Sequence, residues 1–163
     1  MVLTQNQTAE IKGAIASALE RVYSQDFSLI ERRAHERSIA FRFGLYFSEI
    51  IELTSFGDDA DLTIDAEYNR NLLNTKNTEG FEAPQGILPD IILHHRGFND
   101  KNIVVIEFKG YWSGNGRDDE KLRGFTHQEQ NDYHYGLGLF IRLGRTLEEC
   151  ELVYYKEGRI ENE

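Results

Sequence analysis

Apolar residues recur at helical intervals through the first third of the chain and at alternate positions through much of the remainder. Ile11, Ile15, Ala18, Leu19 and Val22 form a stripe at spacings of three and four, which predicts a helix from Thr8 to about Tyr23. Asp26-Phe27-Ser28 interrupts it. Ser28, with Glu31 three positions later, matches a capping box, so a second and longer helix is expected from Leu29 to about Ile50. Beyond Gly57-Asp58-Asp59 the period becomes two: Leu62, Ile64 and Ala66 interleave with Thr63, Asp65 and Glu67, a first strand. Asn69 to Gly86 is a long polar connection, either a hairpin with a large loop or a flexible flap. Asp90 to about His95 and Ile103 to Tyr111 then read as strands, joined as a hairpin through the turn composition of Gly97 to Asn102. Arg117 to Arg123 is a short helix by propensity, Thr126 to Tyr133 is ambiguous, and Tyr135 to Leu143 and Cys150 to Lys156 are two further strands.

Two helices, three strands, a helical segment and two strands imply an α/β domain with a mixed sheet and packed helices. No Pro/Gly/Ser-rich linker and no repeat divides the 163 residues, which read as a single domain: helices over about 8–50, the sheet over about 61–143, and a strand with an acidic tail over about 144–163. The tail carries Glu148, Glu149, Glu151, Glu157, Glu161 and Glu163. The net charge of −10 argues against a chain that grips nucleic acid by bulk attraction, but leaves room for local basic faces. A single cysteine, Cys150, excludes an internal disulfide and a multi-thiolate zinc site, and fits a reducing, cytoplasmic setting. No apolar run approaches a membrane span, and Met1 to Asn6 lacks the basic-then-apolar order of a signal peptide; no membrane partner is expected.

Chemistry concentrates in Ile87-Leu88-Pro89-Asp90-Ile91-Ile92 and Val104-Val105-Ile106-Glu107-Phe108-Lys109. Strand alternation points Glu107 and Lys109 one way, with Ile106 and Phe108 facing the opposite layer. An ionised Glu and a Lys within an apolar, central-looking strand need compensation for their desolvation, and a metal ion with its substrate would supply it. Pairing of the two strands would bring the carboxylate of Asp90 beside that of Glu107. The plain alternative makes Asp90 a turn cap and Glu107–Lys109 a surface pair on an edge strand; the run Ile103 to Ile106 favours a central strand instead. His94 and His95, as strand neighbours, face opposite ways and cannot chelate one ion, with His94 on the face of Asp90. His127 and His134 lack ligand spacing, Gly136-Leu137-Gly138 precedes no helix, and Cys150 has the context of an inert thiol.

Pro89-Asp90 with Glu107-Phe108-Lys109, each half in a strand, resembles the signature of the PD-(D/E)XK nuclease superfamily, and the order of elements from Leu29 to Leu143 is similar to its core. The resemblance implies a restriction-endonuclease-like mixed β-sheet flanked by helices, and a small stand-alone member of that superfamily. It implies hydrolysis of phosphodiesters in nucleic acid, DNA being the expected one, with Mg²⁺ or Mn²⁺ held by Asp90, Glu107 and the backbone carbonyl of Phe108. Lys109 would orient or deprotonate the attacking water, or stabilise the phosphoryl oxygens. The family often adds an acid from the helix before the sheet. Glu36 is the candidate, because with Ala40, Phe43 and Phe47 it shares the helix face turned to the sheet; an ion pair with Arg32, Arg33 or Arg70 explains the same placement. Glu67, beside Asp65 on one face of the first strand, is a second candidate acid for the metal, or a solvated strand residue.

Phosphate contacts would come from local charge, with Arg32, Arg33, Arg37 and Arg42 in the second helix and Arg117, Lys121 and Arg123 after the second motif half, unless these are solvated helix faces. Tyr111 and Trp112 would stack on a base or close the core. No specificity domain is visible, so low selectivity or a protein partner supplying specificity is expected. A catalytically silent binding or assembly module of the same fold, in a defence or mobile-element system, is the alternative, and a plain acidic interaction domain a third reading.

Overall fold

The structure is a computed structural model that describes residues 1–78, 86–114, 116–129 and 132–161. Helix α1 (Gln5–Gln25) starts three residues before the expected boundary, because Thr4 caps it: its hydroxyl accepts from the Gln7 amide at 3.2 Å and the Gln7 side chain accepts from the Thr4 amide at 3.0 Å. The stripe Ile11, Ile15, Ala18, Leu19 and Val22 is buried, joined by Ala14. The expected second helix is broken. A short α2 (Phe27–Glu31) ends at Arg32, Arg33 turns into the left-handed region at φ 52°, and α3 (Glu36–Ile51) restarts with the His35 ring accepting from the Arg37 amide at 3.3 Å. The expected capping box at Ser28 and Glu31 does not form; α2 has Asp26 at its N-cap without a side-chain bond. Apolar spacing alone carried the reading across 32–35, where no Gly or Pro marks the break.

The strands are β1 (Leu62–Ala66), β2 (Arg70–Asn71), β3 (Asn74–Thr75), β4 (Ile91–His95), β5 (Asn102–Gly110), β6 (Leu137–Leu143), β7 (Glu151–Lys156) and β8 (Arg159–Ile160). Six of them form a mixed sheet in the order β1-β4-β5-β6-β7-β8, in which only β5 and β6 run parallel. Strands β2 and β3 form a separate hairpin inside the Asn69–Gly86 connection, whose residues 79–85 lie outside the described ones. Helix α4 (Asp118–Thr126) provides the crossover that a parallel pair requires, replacing the shorter segment expected over Arg117 to Arg123. Within the expected turn Ser113–Gly116, residue 115 lies outside the described residues, as do 130–131 in the ambiguous stretch and 162–163 in the tail. The tail contains β8, which sequence reading did not find because two residues among charges carry no periodic signal.

Burial divides the sheet into two faces. On one, α1 and α3 cover Ile91, Leu93, Val104, Ile106, Phe108, Leu139 and Ile141. On the other, Leu122 and Phe125 of α4 pack with Ile92, Val105, Tyr133, Tyr135 and Tyr155. The result is a three-layer α/β arrangement. Alternation in β5 follows the expectation: Ile106 and Phe108 enter the α1/α3 core, leaving Glu107 and Lys109 to the α4 side. Helix α3 approaches β4 closely at Gly44, where an added Cβ would stand 3.0 Å from Ile91 Cδ1. No described helix is long and apolar enough to cross a membrane.

Candidate functional site

Register builds the site. Ile91 pairs with Ile106 in the antiparallel β4–β5 ladder, so Asp90, one residue before β4, falls opposite Glu107. Its Oδ2 accepts from the Phe108 amide at 2.7 Å, a charge-assisted bond that fixes the carboxylate against β5. Because β5 is flanked by β4 and β6, Glu107 is on a central strand and is 3% exposed. Glu36, the first residue of α3, reaches the end of β5, where its Oε1 accepts from the Gly110 amide at 2.9 Å. The partner of Glu36 here is thus backbone, in place of the ion pair with Arg32, Arg33 or Arg70 weighed from sequence.

A cleft of about 130 Å³ collects these groups: His35, Glu36, Arg37, Glu67, Leu88, Asp90, Glu107, Phe108, Lys109, Asp118 and Lys121 line it. Glu67 enters by a route other than the one expected. It lies past the end of β1 with φ 51°, outside strand alternation, its amide bonded to the Pro89 carbonyl at 3.0 Å and its carboxylate paired with Arg37. A non-glycine residue in that region costs roughly 1 kcal/mol or more, which the tie to the Pro89-Asp90 segment offsets. Asp65, placed on Glu67's face by sequence, instead binds Arg96 and accepts from His94 Nε2 at 2.8 Å. His94 is buried there, and His95 pairs with Asp100.

One residue of the cleft, Asp118, was not singled out from sequence, and Lys121, expected as a phosphate contact, is turned into the cleft instead. Asp118, in the first turn of α4, is 6% exposed, and Lys121 lies one turn on. Lys121 Nζ stands 3.0 Å from Asp118 Oδ1 and 3.4 Å from Glu107 Oε2, while Lys109 Nζ is 3.8 Å from Asp118 Oδ2. The i, i+3 spacing was visible in sequence, but its placement against β5 depends on the crossover packing. Among the described residues, Glu107 Oε1 and Asp118 Oδ2 are buried without a hydrogen-bond partner.

Electrostatics follow from this crowding. Burial, then the Asp90 charge, pushes the Glu107 carboxyl well above the usual range despite Lys121. Burial also raises Asp90, against the opposing Phe108 amide and Lys121. Lys121 would be lowered by burial, but Glu107 and Asp118 outweigh this and raise it. Among the described residues, no three or more His, Cys, Asp or Glu side chains are gathered as a group that could hold a metal ion.

The basic residues separate. Arg37 pairs with Glu67, Arg42 with Asp26, Arg117 with Glu120 and Arg123 with Asp119, and Lys121 is turned into the cleft. Arg32 and Arg33 are exposed at the α2–α3 turn, and the Arg33 guanidinium lies 5.7 Å from the Tyr111 ring centre. Arg145, not singled out from sequence, approaches the same ring at 5.4 Å. Tyr111 and Trp112 are partly buried against the α1/α3 core and meet edge to face. Comparison with protein-family models, with curated proteins and with solved structures gives no match for the chain.

Proposed function

We propose that the chain is a metal-dependent nuclease of the PD-(D/E)XK kind, on a restriction-endonuclease-like fold, hydrolysing phosphodiester bonds of nucleic acid and DNA in the first instance. The charge of the cleft carries this reading. Its lining holds five carboxylates, Glu36, Glu67, Asp90, Glu107 and Asp118, against three cations, Arg37, Lys109 and Lys121. Fully ionised, the set has a surplus of two negative charges, and among the described residues two of its buried carboxylate oxygens, Glu107 Oε1 and Asp118 Oδ2, accept no hydrogen bond. A structural ion-pair network would be expected to balance itself.

The donors fit a hard divalent cation. Asp90 and Glu107 offer carboxylate oxygens and Phe108 a carbonyl oxygen, a hard donor set that suits Mg²⁺ or Mn²⁺. Asp90, Glu107 and the Phe108 carbonyl would hold the ion, with Glu36 and Glu67 as the outlying acids. An open set of this kind is the usual Mg²⁺ arrangement, one or two carboxylates with water and substrate phosphate completing the shell. When bound, the ion supplies a water of lowered pKa and offsets charge growing on the phosphoryl group.

The remaining roles belong to the chain's own residues. Asp90 is prealigned by the Phe108 amide, so its carboxylate costs little reorganisation on use. Lys109, on the face of Glu107, orients or deprotonates the attacking water or meets the phosphoryl oxygens. Arg33 and Arg145, exposed beside Tyr111 just past the end of β5, and exposed Arg32 at the α2–α3 turn are cations available to backbone phosphates.

Incubation of the purified protein with supercoiled and single-stranded DNA tests the proposal, with and without Mg²⁺ or Mn²⁺, alongside Glu107→Ala and Lys109→Ala. Metal-dependent cleavage by the parent chain alone supports it. With single-stranded RNA added as a third substrate, absence of cleavage by every form on every nucleic acid overturns it in favour of the silent module.

A further inference from the structure

Lys121 and the divalent ion of the proposed reaction compete for the same carboxylate. The Lys121 ammonium is the only cation among the described residues within ion-pair distance of Glu107, and it meets Oε2 at 3.4 Å. Lys121 donates a hydrogen bond there, longer than the usual charge-assisted N–H···O bond of about 2.7–2.9 Å and therefore weak for its kind. The contact to Asp118 is shorter, 3.0 Å, and local to α4. A divalent ion on Glu107 and an ammonium against the same carboxylate repel strongly in a buried setting, where unlike and like charges are weakly screened.

We infer that Lys121 is a tethered counter-ion of the metal-free cleft: a divalent ion takes Glu107 from it, while Asp118 keeps its ammonium within the cleft beside Lys109. The inference rests on the metal reading above and adds its regulation. Without metal, Lys121 pins α4 to β5 through Glu107 and reduces the mutual repulsion of Asp90, Glu107 and Asp118. With metal, the ammonium is released from Glu107 and remains near Lys109, which stands 3.8 Å from Asp118. Asp118 is on this account a positioning residue for two lysines. Its buried Oδ2 has no hydrogen-bond partner among the described residues and faces Lys109 at ion-pair distance.

The test is metal binding, read without catalysis. Mn²⁺ affinity is measured calorimetrically at pH 8 for the parent chain, Lys121→Met and Lys121→Gln, with the melting temperature of each recorded with and without metal. Removal of the competitor should tighten Mn²⁺ binding about tenfold in both variants, lower the metal-free melting temperature and enlarge the metal-induced rise. In the parent chain, the side-chain ammonium resonance of Lys121, identified by its loss in Lys121→Gln, should move on addition of Mg²⁺. Equal or weaker Mn²⁺ affinity in the variants, or a stationary ammonium resonance at saturating Mg²⁺, overturns the exchange and leaves the nuclease reading standing if cleavage is metal-dependent. No Mn²⁺ binding by any form overturns both.

Discussion

Replacement of Glu107 by Gln should stabilise the metal-free protein and remove its response to metal. The side chain is 3% exposed, and one of its two oxygens has no hydrogen-bond partner among the described residues. At 3.4 Å and an effective dielectric constant near 20, the attraction of Lys121 is about 5 kcal/mol, similar to the several kcal/mol lost when a carboxylate leaves water. The Asp90 charge then tips the balance against ionisation, which is why the carboxyl is pushed well above the usual range. What Gln removes is the charge on a buried, half-satisfied group beside Asp90, on the order of 1–3 kcal/mol above the cost of a neutral amide left at the same unpartnered place. Gln keeps the shape and removes the charge, and Lys121 retains Asp118. The expected gain is therefore about 1–3 kcal/mol, or roughly 2–10 °C in melting temperature for a chain of this size.

The pH dependence has a definite sign. A raised folded-state carboxyl pKa means that the folded chain holds its proton when the unfolded chain has released it. Metal-free stability consequently falls as pH rises from the ordinary Glu value, about 4.3, through the folded one, and Glu107→Gln should flatten that fall. Urea denaturation from pH 4 to 8, with and without Mg²⁺, measures both effects. At one hundred times its dissociation constant the ion should add about 2.7 kcal/mol to the parent chain and nothing to the variant. A variant less stable than the parent at pH 8 without metal, or one still stabilised by Mg²⁺, would refute the reasoning.

Three other substitutions probe separate contacts. Glu36→Gln keeps an oxygen for the Gly110 amide and should leave stability within about 0.5 kcal/mol, whereas Glu36→Ala should cost about 1–3 kcal/mol by chemical denaturation; equal losses would show that charge, not the hydrogen bond, matters there. Lys109→Ala should abolish cleavage while shifting the melting temperature by only about 1–2 °C, since its pairing with Asp118 is long at 3.8 Å. Lys76 is 2% exposed among Tyr68, Tyr133 and Tyr135, and burial lowers its pKa to about 7. The unfolded chain then binds the extra proton between about pH 7 and 10, so stability should rise with pH by up to about 1.4 kcal/mol per unit there, and Lys76→Met should remove that slope.

Strand periodicity carried the reading where local pattern and tertiary environment agree. The alternation of Val105, Glu107 and Lys109 against Ile106 and Phe108 is a property of extended backbone, and the hairpin that sets Asp90 opposite Glu107 follows from the turn at Gly97 to Asn102. Helix continuity was less legible. Arg33 adopts a left-handed conformation, which its residue type does not announce, and the apolar spacing from Leu29 to Phe47 survives the break. Glu36 kept its place because the α3 face bearing Ala40, Phe43 and Phe47 does turn to the sheet. Asp118 was not legible as a cleft residue, and Lys121 was read as a phosphate contact, because their meeting with Glu107 is produced by a crossover helix packing across β5, a contact between segments with no shared pattern. Glu67 reached the cleft through a backbone turn that alternation does not describe.

The most direct test of the metal centre is an anomalous difference map from crystals soaked in Mn²⁺. The account predicts a peak in the cleft within about 2.0–2.4 Å of carboxylate oxygens of Asp90 and Glu107 and of the Phe108 carbonyl oxygen, lost in Glu107→Gln crystals. A cleft without a peak at saturating Mn²⁺, or a peak unchanged in Glu107→Gln, would contradict it.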